Sequence, residues 1–371
     1  MSKLKIYLSA AVCLLSVISC KAQSTLSQLS FETGGTTLIS EKIDMRGQEL
    51  ALPPDVTLKF QNGGCLANGR IIADNTSISG LKQAIFDQVQ ISGNWNVKYI
   101  STDMFKDLSD LNSIKNVFAL ASGNVDNVLI IESGSYKVAA GCSNDRILNI
   151  PSNTEVIMNG IITMLPNDFP SYNIVYLKGE NIKLHGNGKI IGDKRTHKGN
   201  TGEWGMGITL GGCSNAQIYG LTVSDCWGDC IYIGSKSTDV YVNNCILDNG
   251  RRQGISITSA GDVVIENCVI SNVSGTPPGF AIDIEPNKND TVESVIIRNV
   301  KAIDCLGGFL TWGGAKGCLI DNVQLQDCYV KGSVKPAYAF NTTNRIDVFN
   351  CTSDKNAKPY VKQCKTVNIV E

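Results

Sequence analysis

Apolar residues in the second half of this chain come in short alternating runs that end on asparagine. The runs are VYVNNC (240–245), VVIENC (263–268), VIIRNV (295–300), CLIDNV (318–323) and IDVFNC (346–351). Alternation with a period of two predicts strands that bury one face. The closing asparagines are Asn244, Asn267, Asn299, Asn322 and Asn350, and the shortest steps between them are about 23 positions. QIYGLTV (217–223) reads as the preceding copy, with Gly220 in the asparagine column, and NIKLHGNG (181–188) as an earlier one.

One such strand cannot bury its apolar face alone. Stacked copies bury a continuous core, with each backbone pairing to the coil above and below at about 4.8 Å. Coils of this length with three short strands predict an all-β fold, a single-stranded right-handed parallel β-helix. A second corner column stands five residues on, at Asp225, Asn249, Asn272, Asp304 and Asp327, and breaks at Lys355. Asp225 therefore reads as structural. Cysteines fall in apolar columns: Cys245, Cys268 and Cys351 with Leu221, Val300 and Val323, and Cys226, Cys305 and Cys328 with Val273 and Gly250. Buried free cysteine packs as a small hydrophobe, so few or no disulfides are expected from the 14 cysteines.

Outside the repeat, residues 49–80 alternate like coil strands, and residues 21–100 read as an additional β-rich segment before a solenoid over 101–371. Leu108, Leu111, Ile114, Val117, Phe118 and Ala121 fall at helical spacing and predict a helix over 107–122. Such a helix would cap the open end of the core. Lys3, Lys5 and the apolar Ile6–Ile18 stretch make residues 1–20 an export signal too short to span a bilayer. It ends in VISC, which predicts lipidation at Cys20; the alternative is an ordinary signal cut near KAQ (21–23). The expected location is the periplasm or outer membrane of a Gram-negative bacterium as a lipoprotein, or the exterior as a secreted protein. A net charge of −1 with 18% charged residues offers nothing for nucleic acid, and leaves a lipid anchor as the only tie to a membrane.

Candidate chemistry appears where the columns depart from their structural rule. Ile208, Ile231, Ile255, Ile282 and Leu310 read as one inward column, and Leu210, Ile233, Ile257, Ile284 and Trp312 as another. The outward columns put Asp229, Tyr232, Arg251, Arg252, Gln253, Asp283 and Glu285 on one face, with Trp204 and Trp227 near its edge. This mixture suits a glycan. Aromatics stack on sugar rings, Arg251, Arg252 and Gln253 bind hydroxyls or carboxylates, and carboxyl groups do acid–base work. Asp229 is the expected general acid, and Asp283 or Glu285 its partner, about two coils away. That separation suits an inverting glycosidase. Insertions at 192–205 and 272–279 are expected to wall the cleft, the first bringing His197 as a further contact to substrate.

The order helix, strand, SGSY (133–136) resembles the start of β-helices of the pectate-lyase-like superfamily. HGNGKIIGD (185–193), GDCIYIGS (228–235) and QGISITS (253–259) are similar to motifs of its polygalacturonase-type glycoside hydrolases. There are departures. Gly228 replaces the first aspartate of that family's pair, Gln253 replaces its histidine, and Asp283 and Glu285 stand where its uronate-holding Arg-x-Lys falls. Of the family's aspartates only Asp229 carries over. The resemblance implies an enzyme that cleaves glycosidic bonds of a polysaccharide without a cofactor. The alternatives are a polysaccharide lyase or uronate epimerase with Ca²⁺ in the acidic cluster, a fructan transferase, and a non-catalytic glycan-binding surface protein.

Overall fold

A computed structural model describes residues 26–122, 124–355 and 358–370. The expectations for residues 1–20 and for Cys20 lie outside them. Among the described residues no helix is long and apolar enough to cross a membrane.

The alternating runs are strands wound into a parallel β-helix. One central coil carries Ile231–Gly234, Ser237–Asn243 and Ile246–Asp248; the next carries Ile255–Ile257, Ala260–Glu266 and Val269–Ser271. They stack in register, with Ile231 opposite Ile255, Val240 opposite Val263 and Leu247 opposite Ile270. All six of these side chains are buried. Burying one such aliphatic side chain contributes about 1.5–3 kcal/mol, and the column repeats it coil after coil.

The corners explain the asparagines. Three columns of positive φ run through these coils: Asp239 (52°), Asn244 (51°) and Asn249 (56°) in one, Asp262 (51°), Asn267 (55°) and Asn272 (56°) in the next; the first coil adds Ser235 (57°) and Lys236 (61°) at a further turn. Left-handed backbone costs most L-residues about 1–2 kcal/mol, and Gly, Asn and Asp bear it best. Gly220 holds its corner at 77°, and Asp225 holds one at 56°. The side chains also tie coils together: Asn299 Nδ2 donates to Asn267 Oδ1 at 2.8 Å, and Asn249 Nδ2 to Asp225 Oδ1 at 2.5 Å.

The third corner column corrects the register read from sequence. Val295 pairs with Val323 and Arg298 with Gln326, which sets Asn299 opposite Asp327, while Asn322 stands opposite Ser294. Asn350 Nδ2 accordingly reaches Asp327 Oδ1 at 3.2 Å. Gly332 (φ 73°), not Asp327, continues the column of Asp304, because Ile303 pairs with Lys331. Two corners of one coil demand the same residue types, so an asparagine followed by an apolar residue fits either. Cys328 consequently belongs with Cys245, Cys268 and Cys351, and its N–H donates to Cys351 Sγ at 3.4 Å. No disulfide joins the described cysteines, and most of them are buried.

A second slip occurs between the same two coils, one strand earlier. Ile282 pairs with Phe309, Asp283 with Leu310 and Ile284 with Thr311, so Leu310 and Trp312 are not inward. Phe309 takes the core position at 2% exposure, and Trp312 is 38% exposed. The run GFLTW satisfies alternation in either parity, and Phe309 and Thr311 take the inward slots.

Toward the N-terminus, strands between Thr36 and Asn96 form a six-stranded parallel sheet. Its core is continuous with that of the later coils, from Ile39 to Val348. The helix expected over 107–122 shrinks to one turn, Lys115–Phe118. Asn112 has a φ of 62° and its Oδ1 accepts from Ala139 N, while Asn116 Oδ1 accepts from Ile91 N, both at 2.9 Å. These bonds hold the segment against flanking backbone. Ile114, Val117 and Phe118 are buried, and Leu111 is left half exposed. The core runs on past this turn through Trp95, Phe86 and Phe60, so the turn packs on the side of the core and caps no open end.

Candidate active site

The face marked by the broken columns is a groove of about 530 Å³, bordered by Glu203, Trp204, Tyr232, Arg252, Thr258 and Glu285 among others. Its wall is the insertion at 192–205, and a buried network holds that wall in place. Asp193, 1% exposed, accepts from Tyr172 Oη and from Asn167 Nδ2 (2.7 Å), and its Oδ2 lies 2.8 Å from His197 Nδ1. His197 stacks on Trp227 with ring centroids 3.8 Å apart. The Arg251 guanidinium carbon lies 3.8 Å from the Trp227 centroid, and its Nη1 donates to Gly202 O at 2.8 Å. His197, Trp227 and Arg251 thus lock the wall to the coil beneath. None of the three, expected as substrate contacts, is among the residues that border the groove. A loop has no repeat column to reveal what its side chains touch.

Inside the groove one guanidinium organises the charge. Arg252 Nη2 donates to Glu285 Oε2 at 3.0 Å, and Nη1 lies 3.5 Å from Asp229 Oδ2 and 3.2 Å from Ser256 Oγ. Its Nε stands 3.4 Å from Glu203 Oε1, without hydrogen-bond alignment. Burial by itself would lower the Arg252 pKa, but Asp229, Asp283, Glu285 and Glu203 together raise it. Arg252 stays charged.

The two aspartates lie beneath this guanidinium, both 0% exposed. Pairing of Ile231 with Ile255 and of Ile255 with Ile282 places them two coils apart, as expected. Each keeps one carboxyl oxygen, Oδ1, buried without a hydrogen-bond partner. Burial pushes Asp229 up to about 6 against the opposing pull of Arg252. Burial, then the neighbouring Glu285 charge, pushes Asp283 well above the carboxylate range. Gln253 serves Asp283 and does not face the groove. Its Oε1 accepts from the backbone N of Phe280 at 2.7 Å, which turns Nε2 to donate to Asp283 Oδ2 at 2.7 Å. An acceptor facing the Phe280 N–H leaves the amide only this orientation. The expectation that Gln253 binds substrate is corrected to positioning of Asp283.

Of the anticipated substrate contacts, Arg252, Tyr232 and Trp204 do border the groove, with Trp204 51% exposed. Among the anticipated carboxylates only Glu285 does. Glu203 also borders it; the insertion was expected to carry this residue to the cleft wall, but its pairing with Arg252 was not foreseen. Gly228 shows how it arrives. A Cβ at 228 would stand 2.6 Å from Glu203 O and 3.0 Å from Gly205 N. The wall backbone therefore fills the space a side chain at 228 would need, and the same close approach delivers Glu203 to Arg252. A glycine where a carboxylate was looked for was the signal available.

Two overlapping stretches, residues 122–325 and 207–369, match the family model of the right handed beta helix region. The chain belongs to this right-handed β-helix family. It is 29% identical over 262 residues to the uncharacterized protein YclG of Bacillus subtilis (strain 168), covering 62% of this chain and 44% of that protein. It is also 29% identical over 185 residues to the SPbeta prophage-derived uncharacterized protein YorA of the same organism, covering 43% and 30%. The chain thus spans less than half the length of either relative. Among solved structures it is similar to a hyperthermoactive exopolygalacturonase from Thermotoga maritima, with 15% identity, 72% of this chain and 81% of that one covered, and a TM-score of 0.46. That likeness bears on neither substrate nor mechanism.

Proposed function

We propose that this β-helix protein is an enzyme that hydrolyses glycosidic bonds in a polysaccharide. The observation that carries the reading is the convergence of Glu203, Asp229 and Glu285 on one guanidinium at the floor of a walled groove, with Asp229 buried and raised to about 6. Structural ion pairs lower a carboxyl pKa; this arrangement raises one toward neutral pH, as a general acid requires. Asp229 donates its proton to the glycosidic oxygen. Glu285, which faces the groove, takes a proton from the water that attacks the anomeric carbon. Both carboxyl oxygens touch one planar guanidinium, which places them within about 9 Å of each other, close enough to act on one glycosidic bond. Arg252 lies over Asp229, so substrate must displace it, and its 3.5 Å contact to Asp229 is weak enough to open.

The lyase alternative uses the acidic cluster for Ca²⁺. Here a guanidinium occupies the centre of that cluster, and Arg251, a candidate for handling the proton, is engaged with Trp227 and Gly202 O. Hydrolysis is therefore the reading the side chains support best. Residues 1–20, with Cys20, support export and a lipid anchor as part of the same proposal. The test is product analysis by mass after incubation with a glycan panel. Hydrolysis yields saturated reducing ends, abolished in Asp229→Asn and in Glu285→Gln. Unsaturated products absorbing in the ultraviolet, full activity in Asp229→Asn, or binding without turnover each refute it.

A further inference from the structure

The charge balance of the groove speaks to which sugars enter it. The floor and wall hold Glu203, Asp229, Asp283 and Glu285 around Arg252, the one cationic side chain among the residues bordering the groove. That guanidinium is already shared among three carboxylates. Arg251, the other arginine on this stretch, is turned away against Trp227 and Gly202 O. No second cationic side chain borders the groove. With Asp283 held well above the ordinary carboxylate value, Glu203 and Glu285 alone outnumber the guanidinium, and a uronate would add its charge to that surplus in a partly desolvated site where like charges repel strongly. The rest of the border is uncharged and suited to hydroxyls: Asn144, Ser171, Asn173, Thr209, Thr258 and Asn287. Trp204 and Tyr232 add aromatic faces, Trp204 being 51% exposed. Amides, hydroxyls and an exposed indole recognise sugar hydroxyls and the apolar face of a pyranose ring.

We infer that the groove selects glycans without carboxylates, and that Glu203 is a specificity-determining residue for this choice. Glu203 is carried by the insertion and its ion pair with Arg252 has poor alignment, so part of its charge faces the groove and is not spent on the guanidinium. The inference rests on the glycan reading of the same site, but binding tests it separately from turnover.

The experiment uses the full chain and matched polymer pairs that differ only in charge: polygalacturonate and alginate, each beside its carboxyl-reduced form, and methylcellulose beside carboxymethylcellulose. Affinity electrophoresis measures retention by the wild type, by Asp229→Asn and by Glu203→Gln, at low and high salt; mass analysis measures turnover by the wild type. The expected result is retention of the uncharged member at least ~10-fold stronger than of its carboxylated partner at low salt, with the gap narrowing in high salt and in Glu203→Gln. Preference for the carboxylated member of any pair, retention of neither member of every pair, or a gap unchanged in Glu203→Gln overturns the inference. Selective retention without cleavage would sink the hydrolase reading and leave this one standing. Cleavage favouring a uronate polymer would do the reverse.

Discussion

Replacing Asp229 with asparagine should stabilise the fold at neutral pH. An ordinary aspartate titrates near 3.8, and burial in this site raises Asp229 to about 6. A carboxyl group whose folded pKa lies above its unfolded value binds its proton more tightly in the folded state. Its contribution is thus fully favourable below about pH 3.8 and is lost as pH rises through about 6. Above that, the folded state carries a buried carboxylate whose Oδ1 has no partner, and Arg252 only partly offsets it. With about 1.4 kcal/mol per pKa unit, the shift corresponds to roughly 3 kcal/mol. Asparagine keeps the shape and stays neutral. Urea unfolding of wild type and Asp229→Asn, followed by circular dichroism from pH 4 to pH 8, should show near-equal stability at pH 4. The variant should gain as pH rises, by up to about 3 kcal/mol at pH 8. A stabilised variant without activity is the mark of a group held at a cost for chemistry. If Asp229→Asn is less stable at pH 8, or if the difference does not depend on pH, Asp229 is an ordinary ion-pair partner of Arg252 and the acid assignment falls.

Two further outcomes follow from other parts of the molecule. Gln253→Leu removes both the acceptor for the Phe280 N–H and the donor to Asp283 Oδ2, leaving two buried polar groups without partners; urea denaturation should show a loss of about 3 kcal/mol, and an unchanged midpoint would refute the positioning role. At the corner residue Asn267, φ 55°, glycine should be tolerated within about 1 kcal/mol while valine loses clearly more, as read from thermal melts of the two variants; equal melts would show that the corner is not held left-handed.

Much of the fold could be read directly from the chain, because a solenoid writes its geometry as a repeat. Each coil meets only its neighbours, so alternation and corner residues recur without reference to distant sequence. The columns of Ile208, Ile231, Ile255 and Ile282, the left-handed corners at Asn244, Asn267 and Asp225, and the unbridged cysteines all follow from that local rule. The reading slipped where two columns share one rule, at Asn322 against Asp327 and at Phe309 against Leu310. It also slipped at 107–122, where helical spacing gave way to bonds from Asn112 and Asn116 to flanking backbone.

The site was legible only as a face. Alternation showed that Asp229, Arg252, Asp283 and Glu285 share it, since side-chain direction follows from backbone parity. Depth and partnership were not encoded there. That Arg252 covers Asp229, that Gln253 is bound to Asp283, and that Arg251, Trp227 and His197 fasten the wall instead of lining the groove depend on how the 192–205 insertion folds back. Glu203 reaches Arg252 for the same reason, across the space that Gly228 leaves open. An insertion has no periodicity, so its contacts are set by close packing against the coils. The repeat in the chain therefore determined the scaffold and which face carries the chemistry, and the tertiary packing of one aperiodic loop decided which residues on that face meet.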